Sequence, residues 1–100
     1  MTIPSSIKIG GKVYEVERTN NLYNGTGYSA EIDYNELKIN VRPSAQAKME
    51  ADFIHEVMHG IHDFLGYTEH DEKKIDELAN ALHMVITDNP GVFATAGQEH

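Results

Sequence analysis

The sequence predicts an α+β fold in a single domain that spans residues 1–100. Apolar and polar residues alternate in short segments of residues 1–42, whereas apolar residues recur at helical spacing in residues 44–87. Because the predicted strands all precede the predicted helices, the order favours α+β over α/β. Residues 88–100 form a tail after the second helix.

The strands are predicted from alternation and turn residues. Two alternating segments flank Gly10 and Gly11, which is a two-residue hairpin signal. Residues 28–34 and 36–41 alternate as well, with a turn expected at Asn35. We therefore expect a small sheet of three or four strands that is mostly antiparallel.

The two helices are bounded by residues that favour helix ends. The first helix is expected to begin after Pro43, with Ser44 as its N-cap, and to end at Gly66. Thr68 to Asp71 resembles a capping box with Asp in place of Glu and is expected to start the second helix, which ends at the Asp-Asn-Pro-Gly of residues 88–91. The apolar stripe of each helix indicates core packing.

Composition excludes several classes of function. The net charge of −8 argues against a nucleic-acid partner, which needs a basic face. The absence of cysteine excludes disulfides and thiolate zinc sites, so a metal site must use His, Asp or Glu. The first nine residues lack the apolar stretch of a signal peptide, and no apolar run approaches ~18 residues. We expect a cytoplasmic protein without a membrane partner.

The strongest chemical signal is the sequence HEVMH at residues 55–59. His55 and His59 are four apart on a predicted helix, so their Cβ atoms lie about 5–6 Å apart on one face and both imidazoles can reach one zinc ion. Glu56 lies about 100° around the helix, where it can take a proton from a water molecule at the metal. This is the logic of the H-E-x-x-H motif. The alternative is a helix with two surface histidines.

A catalytic zinc needs a third protein ligand. Glu72 stands in the first turn of the second helix, which returns antiparallel to the first, and Asp76 shares its face one turn later. One carboxylate can bind the metal while the other fixes a ligating imidazole. On spacing alone, Glu72 fits equally well as a residue that stabilises the helix N-terminus. The acidic and histidine candidates near the motif are His62, Asp63, Glu69, His70, Asp71, Glu72, Asp76 and Glu77.

Both motifs resemble those of known metallopeptidases. HEVMH at 55–59 followed by EKKID at 72–76 resembles the gluzincin pattern of H-E-x-x-H plus E-x-x-x-D. EKKIDELA at 72–79 is also similar to the E-x-x-A-N-x-F-A stretch of ImmA/IrrE-type metallopeptidases, whose compact members are encoded by phages and mobile elements. Archaeal minigluzincins are similar in size. The resemblance covers roughly residues 22–86 and includes the strand-then-helix order.

The resemblance implies a role for each site residue. The zinc ligands would be His55, His59 and Glu72. Glu56 would be the general base, and Asp76 would orient a ligand histidine, expected to be His55. Two features depart from the family patterns: Asp76 replaces the Asn of the immunity-type motif, and only 12 residues separate His59 from Glu72. The short spacing leaves Glu69 as the nearest alternative ligand.

The expected function is zinc-dependent hydrolysis of a peptide bond in an extended peptide or protein. The substrate would lie beside a free sheet edge, for which residues 28–34 are the expected strand. A donor to the developing oxyanion is also needed. Alternatives are a non-catalytic zinc-stabilised binding domain, a latent or inactive metallopeptidase homologue, and a metal-free adaptor for a basic partner. The candidate oxyanion donors are Tyr34, Tyr67, His62, His70 and His83.

Overall fold

The structure, a computed structural model, describes residues 1–92 and contains four strands followed by two helices. This order confirms the predicted α+β class. Residues 93–100 of the predicted tail lie outside the described residues. None of the helices in residues 1–92 combines the length and apolar character needed to cross a membrane. The elements are β1 (Ser6–Ile9), β2 (Lys12–Arg18), β3 (Ala30–Asp33), β4 (Lys38–Val41), α1 (Gln46–Phe64) and α2 (Glu72–Asp88).

The sheet is mixed, in the order β1-β2-β4-β3, which corrects the expectation of a mostly antiparallel sheet. β1 pairs antiparallel with β2, and β3 pairs antiparallel with β4, but β2 and β4 are parallel. The cause is the β3–β4 hairpin, whose second strand lies against β2. Because β3 reverses the chain direction between them, β4 runs the same way as β2.

Two tight turns set the registers of the hairpins. Gly10 and Gly11 have φ values of 56° and 90°, as the primed two-residue turns of hairpins require, so the predicted β1–β2 hairpin is confirmed. In the β3–β4 turn, the Asp33 carboxylate accepts hydrogen bonds from the backbone N–H groups of Asn35 and Glu36, each at 2.9 Å. The turn therefore falls at Asn35, as the sequence predicts.

The core lies between α1 and one face of the sheet. α2 packs against α1, where it buries Ile75 and Ala79. Gly60 allows α1 to approach the sheet closely, since a Cβ atom at that position would lie 2.8 Å from Ile9 Cδ1 and 3.2 Å from Ile32 Cδ1. This contact brings the middle of α1 against β3. The most buried core residues of β4 and α1 are Ile39, Val41, Phe53 and Ile54.

The ends of the helices differ slightly from the predicted ones. The N-cap of α1 is Ala45, whose side chain cannot cap, and the prediction of Ser44 in that role is wrong. Gly66 follows the last turn of α1 with a φ of 83°, as predicted for a helix end. The N-cap of α2 is Asp71, whose side chain accepts the backbone N–H three residues later. Glu72 is therefore the first helical residue of α2.

The side chains of Glu31 and Arg42 fix the segment between β2 and β3 to the sheet through hydrogen bonds. The carboxylate of Glu31, only 4% exposed, accepts the backbone N–H groups of Tyr23 and Asn24 at 2.9 Å and the amide of Asn40 at 2.8 Å. The guanidinium of Arg42 donates to three backbone carbonyls of residues 20–28. These bonds hold the segment beside the cavity that lies along the free edge of β3, which is described below.

Glu31→Gln is expected to lower the free energy of unfolding at neutral pH by about 1–3 kcal/mol, because hydrogen bonds to a charged acceptor are lost. Burial raises the pKa of Glu31, but the hydrogen bonds from Asn40, Asn24 and Tyr23 outweigh it and hold that pKa below its usual 4.5. A carboxylate with a lowered pKa stabilises the fold above the unfolded-state pKa, and this stabilisation is lost as pH falls through the folded-state value.

Urea unfolding of wild type and Glu31→Gln measures this effect. The difference in unfolding free energy should be largest near neutral pH and should shrink once the pH is well below 4.5, the usual pKa of the carboxyl. Glu36→Gln is the matched control, because Glu36 is exposed. An equal difference at neutral and acidic pH would contradict the assigned role of the Glu31 charge.

Candidate metal centre

Three side chains from α1 and α2 converge at one point. His55 and His59 lie one helical turn apart on α1, and the reversal after Gly66 brings Glu72 over them from the start of α2. His55 Nε2 lies 3.1 Å from Glu72 Oε2, and His59 Nε2 lies 2.6 Å from Glu72 Oε1. The ligand atoms of the three residues all lie within 4.8 Å of one another.

This donor set fits a zinc ion. Two imidazole nitrogens and a carboxylate oxygen are zinc ligands, and at tetrahedral zinc such atoms lie about 3.3 Å apart. The 3.1 Å separation from Glu72 is close to this value, and the 2.6 Å separation is about 0.7 Å shorter. Within residues 1–92, the ion-pair partners of Glu72 are the two histidines alone. Zinc binding by His55, His59 and Glu72 stays a prediction that this geometry supports.

Glu56 is buried beside the three residues, with 8% of its surface exposed. Burial raises its pKa to about 7; the carboxylates of Glu72 and Asp52 add to this effect, and His55 partly offsets it. A general base works best with a pKa near the operating pH. The position and environment of Glu56 are therefore suited to the proton transfer that the motif predicts.

His59 is the more buried of the two histidines. Burial lowers the pKa of His59, and this effect outweighs the opposing attraction of the Glu72 carboxylate. A lowered pKa favours the neutral imidazole, which is the form that binds metals. The side chain of His55 is more exposed, at 19%.

Asp76 lies where the sequence predicts an orienting carboxylate. Its Oδ1 atom is 3.4 Å from His55 Nδ1, and the other ring nitrogen of His55 faces Glu72. An acceptor on the far nitrogen fixes the ring orientation and the tautomer of a ligating histidine. The position of Asp76 at one turn beyond Glu72 creates this contact.

The other proposed ligands do not join the cluster. Glu69 is exposed in the loop between the helices. The Nδ1–H of His62 donates to the backbone carbonyl of Met58 at 2.8 Å. His70 lies on the opposite side of the His59 ring from Glu72, with 2.7 Å between the two Nδ1 atoms. Sequence reasoning missed this last contact, because it depends on a loop conformation that residue spacing does not determine.

A free strand edge borders the cluster. In the β3–β4 pair, the Ser29 carbonyl accepts the Arg42 N–H, so alternate residues of β3 bond to β4. The backbone N–H and C=O groups of Ala30 and Ile32 consequently point away from β4. A cavity of about 230 Å³ lies along this edge, and its lining includes Tyr28, Ala30, Ile32, His55, Glu56 and Glu72.

A larger cavity of about 600 Å³ lies on the other side of Glu72. Its lining includes three of the predicted oxyanion donors, Tyr34, Tyr67 and His70. The hydroxyl of Tyr34 donates to the His59 carbonyl at 3.4 Å. Burial and the nearby carboxylates of Asp63 and Glu56 raise the pKa of Tyr34 to about 12, so it stays a neutral donor. His83 instead contacts Glu50 at 2.8 Å.

The site thus combines three convergent zinc-type donors, a buried carboxyl group and a neutral phenol beside an unpaired strand edge. No protein-family model matches the chain, and neither the curated proteins nor the solved structures contain a significant match to it. The function is therefore inferred from the motifs and from this geometry.

Proposed function

We propose that this chain is a zinc-dependent peptidase that hydrolyses a peptide bond in an extended peptide or protein segment. The convergence of His55, His59 and Glu72 beside the buried Glu56 and the free edge of β3 carries the proposal. In this proposal the three residues hold zinc, and Asp76 keeps the His55 ring in place. The absence of cysteine is compatible with work in the cytoplasm.

The chemistry is divided between the metal and Glu56. Zinc held by His55, His59 and Glu72 would supply a Lewis acid for the scissile carbonyl and would lower the pKa of the attacking water. Glu56 takes the proton from this water as its oxygen attacks the carbonyl carbon, and then gives the proton to the leaving amine nitrogen as the C–N bond breaks. Burial raises the pKa of Glu56 to about 7 in the metal-free protein, and the positive charge of a bound zinc ion would lower it.

The substrate would pair with β3. The outward-facing backbone groups of Ala30 and Ile32 can accept an additional antiparallel strand. Because β3 runs from Tyr28 towards Tyr34, an antiparallel substrate places its N-terminal half by Tyr34, in the larger cavity. In this arrangement the Tyr34 hydroxyl can serve as the donor to the developing oxyanion if it leaves its 3.4 Å hydrogen bond to the His59 carbonyl.

Peptide cleavage tests the proposal directly. The zinc-loaded protein is incubated with a mixture of unstructured synthetic peptides, and new peptide ends are identified by mass spectrometry. We expect cleavage that stops when a zinc chelator is added and resumes when zinc is restored. A mixture left intact by protein that retains zinc would favour the non-catalytic zinc domain instead.

One observation favours that second candidate. Within residues 1–92, α2 contacts α1 and makes no contact with the strands. A metal ion held by His55, His59 and Glu72 would cross-link the two helices, which stabilises a small domain. Binding of a metal with this structural role would not require Glu56, whereas hydrolysis requires it.

A further inference from the structure

His70 connects the metal-site histidine His59 to the backbone of the loop between α1 and α2. Its Nδ1 atom lies 2.7 Å from His59 Nδ1, and its Nε2 atom lies 3.1 Å from the carbonyl oxygen of Tyr67. The centroids of the His59 and His70 rings lie 5.0 Å apart, and the angle between the ring planes is 20°. His70 therefore contacts His59 on the ring edge that faces away from Glu72.

These contacts determine where the protons are in the neutral rings. A backbone carbonyl can only accept, so the Nε2 atom of His70 carries a hydrogen and donates it to Tyr67. The Nδ1 atom of His70 then has a lone pair, and the 2.7 Å contact requires that His59 donates from its own Nδ1. His59 Nε2 lies 2.6 Å from Glu72 Oε1, a contact that requires a hydrogen between the two atoms in the metal-free protein, so the lone pair of Nε2 becomes available when zinc replaces that hydrogen.

The loop that supplies these contacts is itself anchored on α1. The backbone N–H of Tyr67 donates to the His62 carbonyl at 3.0 Å. The ring of Tyr67 packs edge-on against the His62 ring, with 5.5 Å between the centroids. The Tyr67 carbonyl is therefore held in place as an acceptor for His70.

We infer that His70 is a positioning residue that holds the His59 ring in the orientation and tautomer required to bind zinc through Nε2. The inference rests on the proposed zinc site. It assigns to His59 a hydrogen-bond acceptor on the ring nitrogen away from the metal, which is the role that Asp76 has for His55. Each ligating ring then has its own acceptor on the nitrogen that faces away from the metal. His70 does not touch the metal in this role.

Zinc affinity tests this inference. Dissociation constants are measured by competition with a chromophoric zinc chelator for wild type, His70→Ala and Glu69→Ala. Loss of an outer partner of a ligating histidine typically weakens metal binding by about 10- to 100-fold, which is the result expected for His70→Ala. Glu69→Ala, which removes the exposed neighbour of His70 in the same loop, should change the affinity by less than about threefold, well below that range.

Two conservative variants distinguish the loss of a positioned hydrogen-bond acceptor from the loss of side-chain volume. His70→Asn keeps an acceptor oxygen near the place of the lost Nδ1 atom and should restore most of the affinity. His70→Gln places its polar group farther out, near the place of Nε2, and should not. This comparison remains valid if His70→Ala folds poorly, and circular dichroism of the metal-free variants checks the fold.

A spectroscopic measurement adds a readout that a merely structural role would not change. In long-range ¹H–¹⁵N correlation spectra of the zinc-loaded protein, the His59 Nδ1–H signal should be protected from solvent exchange in wild type and should lose that protection in His70→Ala. Zinc binding by wild type with a loss below about fivefold in His70→Ala, less than the range for outer partners, would overturn the inference and leave the proposed function intact. Absence of zinc binding by wild type would overturn both.

Discussion

Glu56→Gln is expected to reduce peptide hydrolysis by about 10²- to 10⁴-fold, the range that a positioned general base contributes. The amide of Gln has nearly the same shape as the carboxyl group but cannot take a proton from water. Because Glu56 is not among the three convergent ligands, the variant should retain zinc at the wild-type level. Initial rates on a cleaved peptide, with zinc content measured on the same samples, provide the test.

The control for this prediction is Glu69→Gln. Glu69 is an exposed acid in the loop between the helices and was the alternative third ligand. Its substitution should leave both the rate and the zinc content unchanged. If Glu56→Gln lost zinc together with activity, the assignment of Glu56 as base would be wrong; if it kept full activity, the observed hydrolysis would come from another site.

Zinc is expected to raise the melting temperature by roughly 15–30 °C. Free zinc at about 1,000 times its dissociation constant stabilises the folded state by about 4 kcal/mol. In a domain of about 100 residues, each kcal/mol shifts the midpoint by about 4–8 °C. The effect should be large here because the metal would link α2 to α1, its contact partner in the described structure.

Thermal unfolding followed by circular dichroism, with zinc or with chelator, measures this shift. Glu56→Gln should show the full shift, and Glu72→Gln should show little, because it replaces the ligand that comes from α2. A full shift in Glu72→Gln, or none in wild type, would mean that zinc does not bridge the helices through Glu72.

The parts of the fold predicted correctly depend on local sequence. The Gly10-Gly11 turn follows from the positive φ values that two consecutive glycines tolerate. The four-residue spacing of His55 and His59 fixes their common face once α1 forms. The capping box predicted at Thr68 to Asp71 marked the start of α2 only to within one turn, because the N-cap is Asp71 and not Thr68. Each of these features is decided within a few residues of chain.

The features that were missed depend on contacts between distant segments. Alternation along β2 and β4 is the same whether the strands pair parallel or antiparallel, so the parallel pairing could not be read from it. The contact between His70 and His59 likewise depends on how the loop after Gly66 folds back onto α1. The convergence of Glu72 with the two histidines was proposed with the help of a family resemblance, because spacing alone left its role open.

Zinc content is the most direct test of the proposed metal site. The protein is purified without added metal, and zinc per chain is determined by elemental mass spectrometry for wild type, His59→Ala, Glu72→Ala and Glu69→Ala. We expect close to one zinc per chain in wild type and Glu69→Ala, and loss of zinc in His59→Ala and Glu72→Ala. Wild type without zinc, or zinc retained in Glu72→Ala, would contradict the proposed metal site.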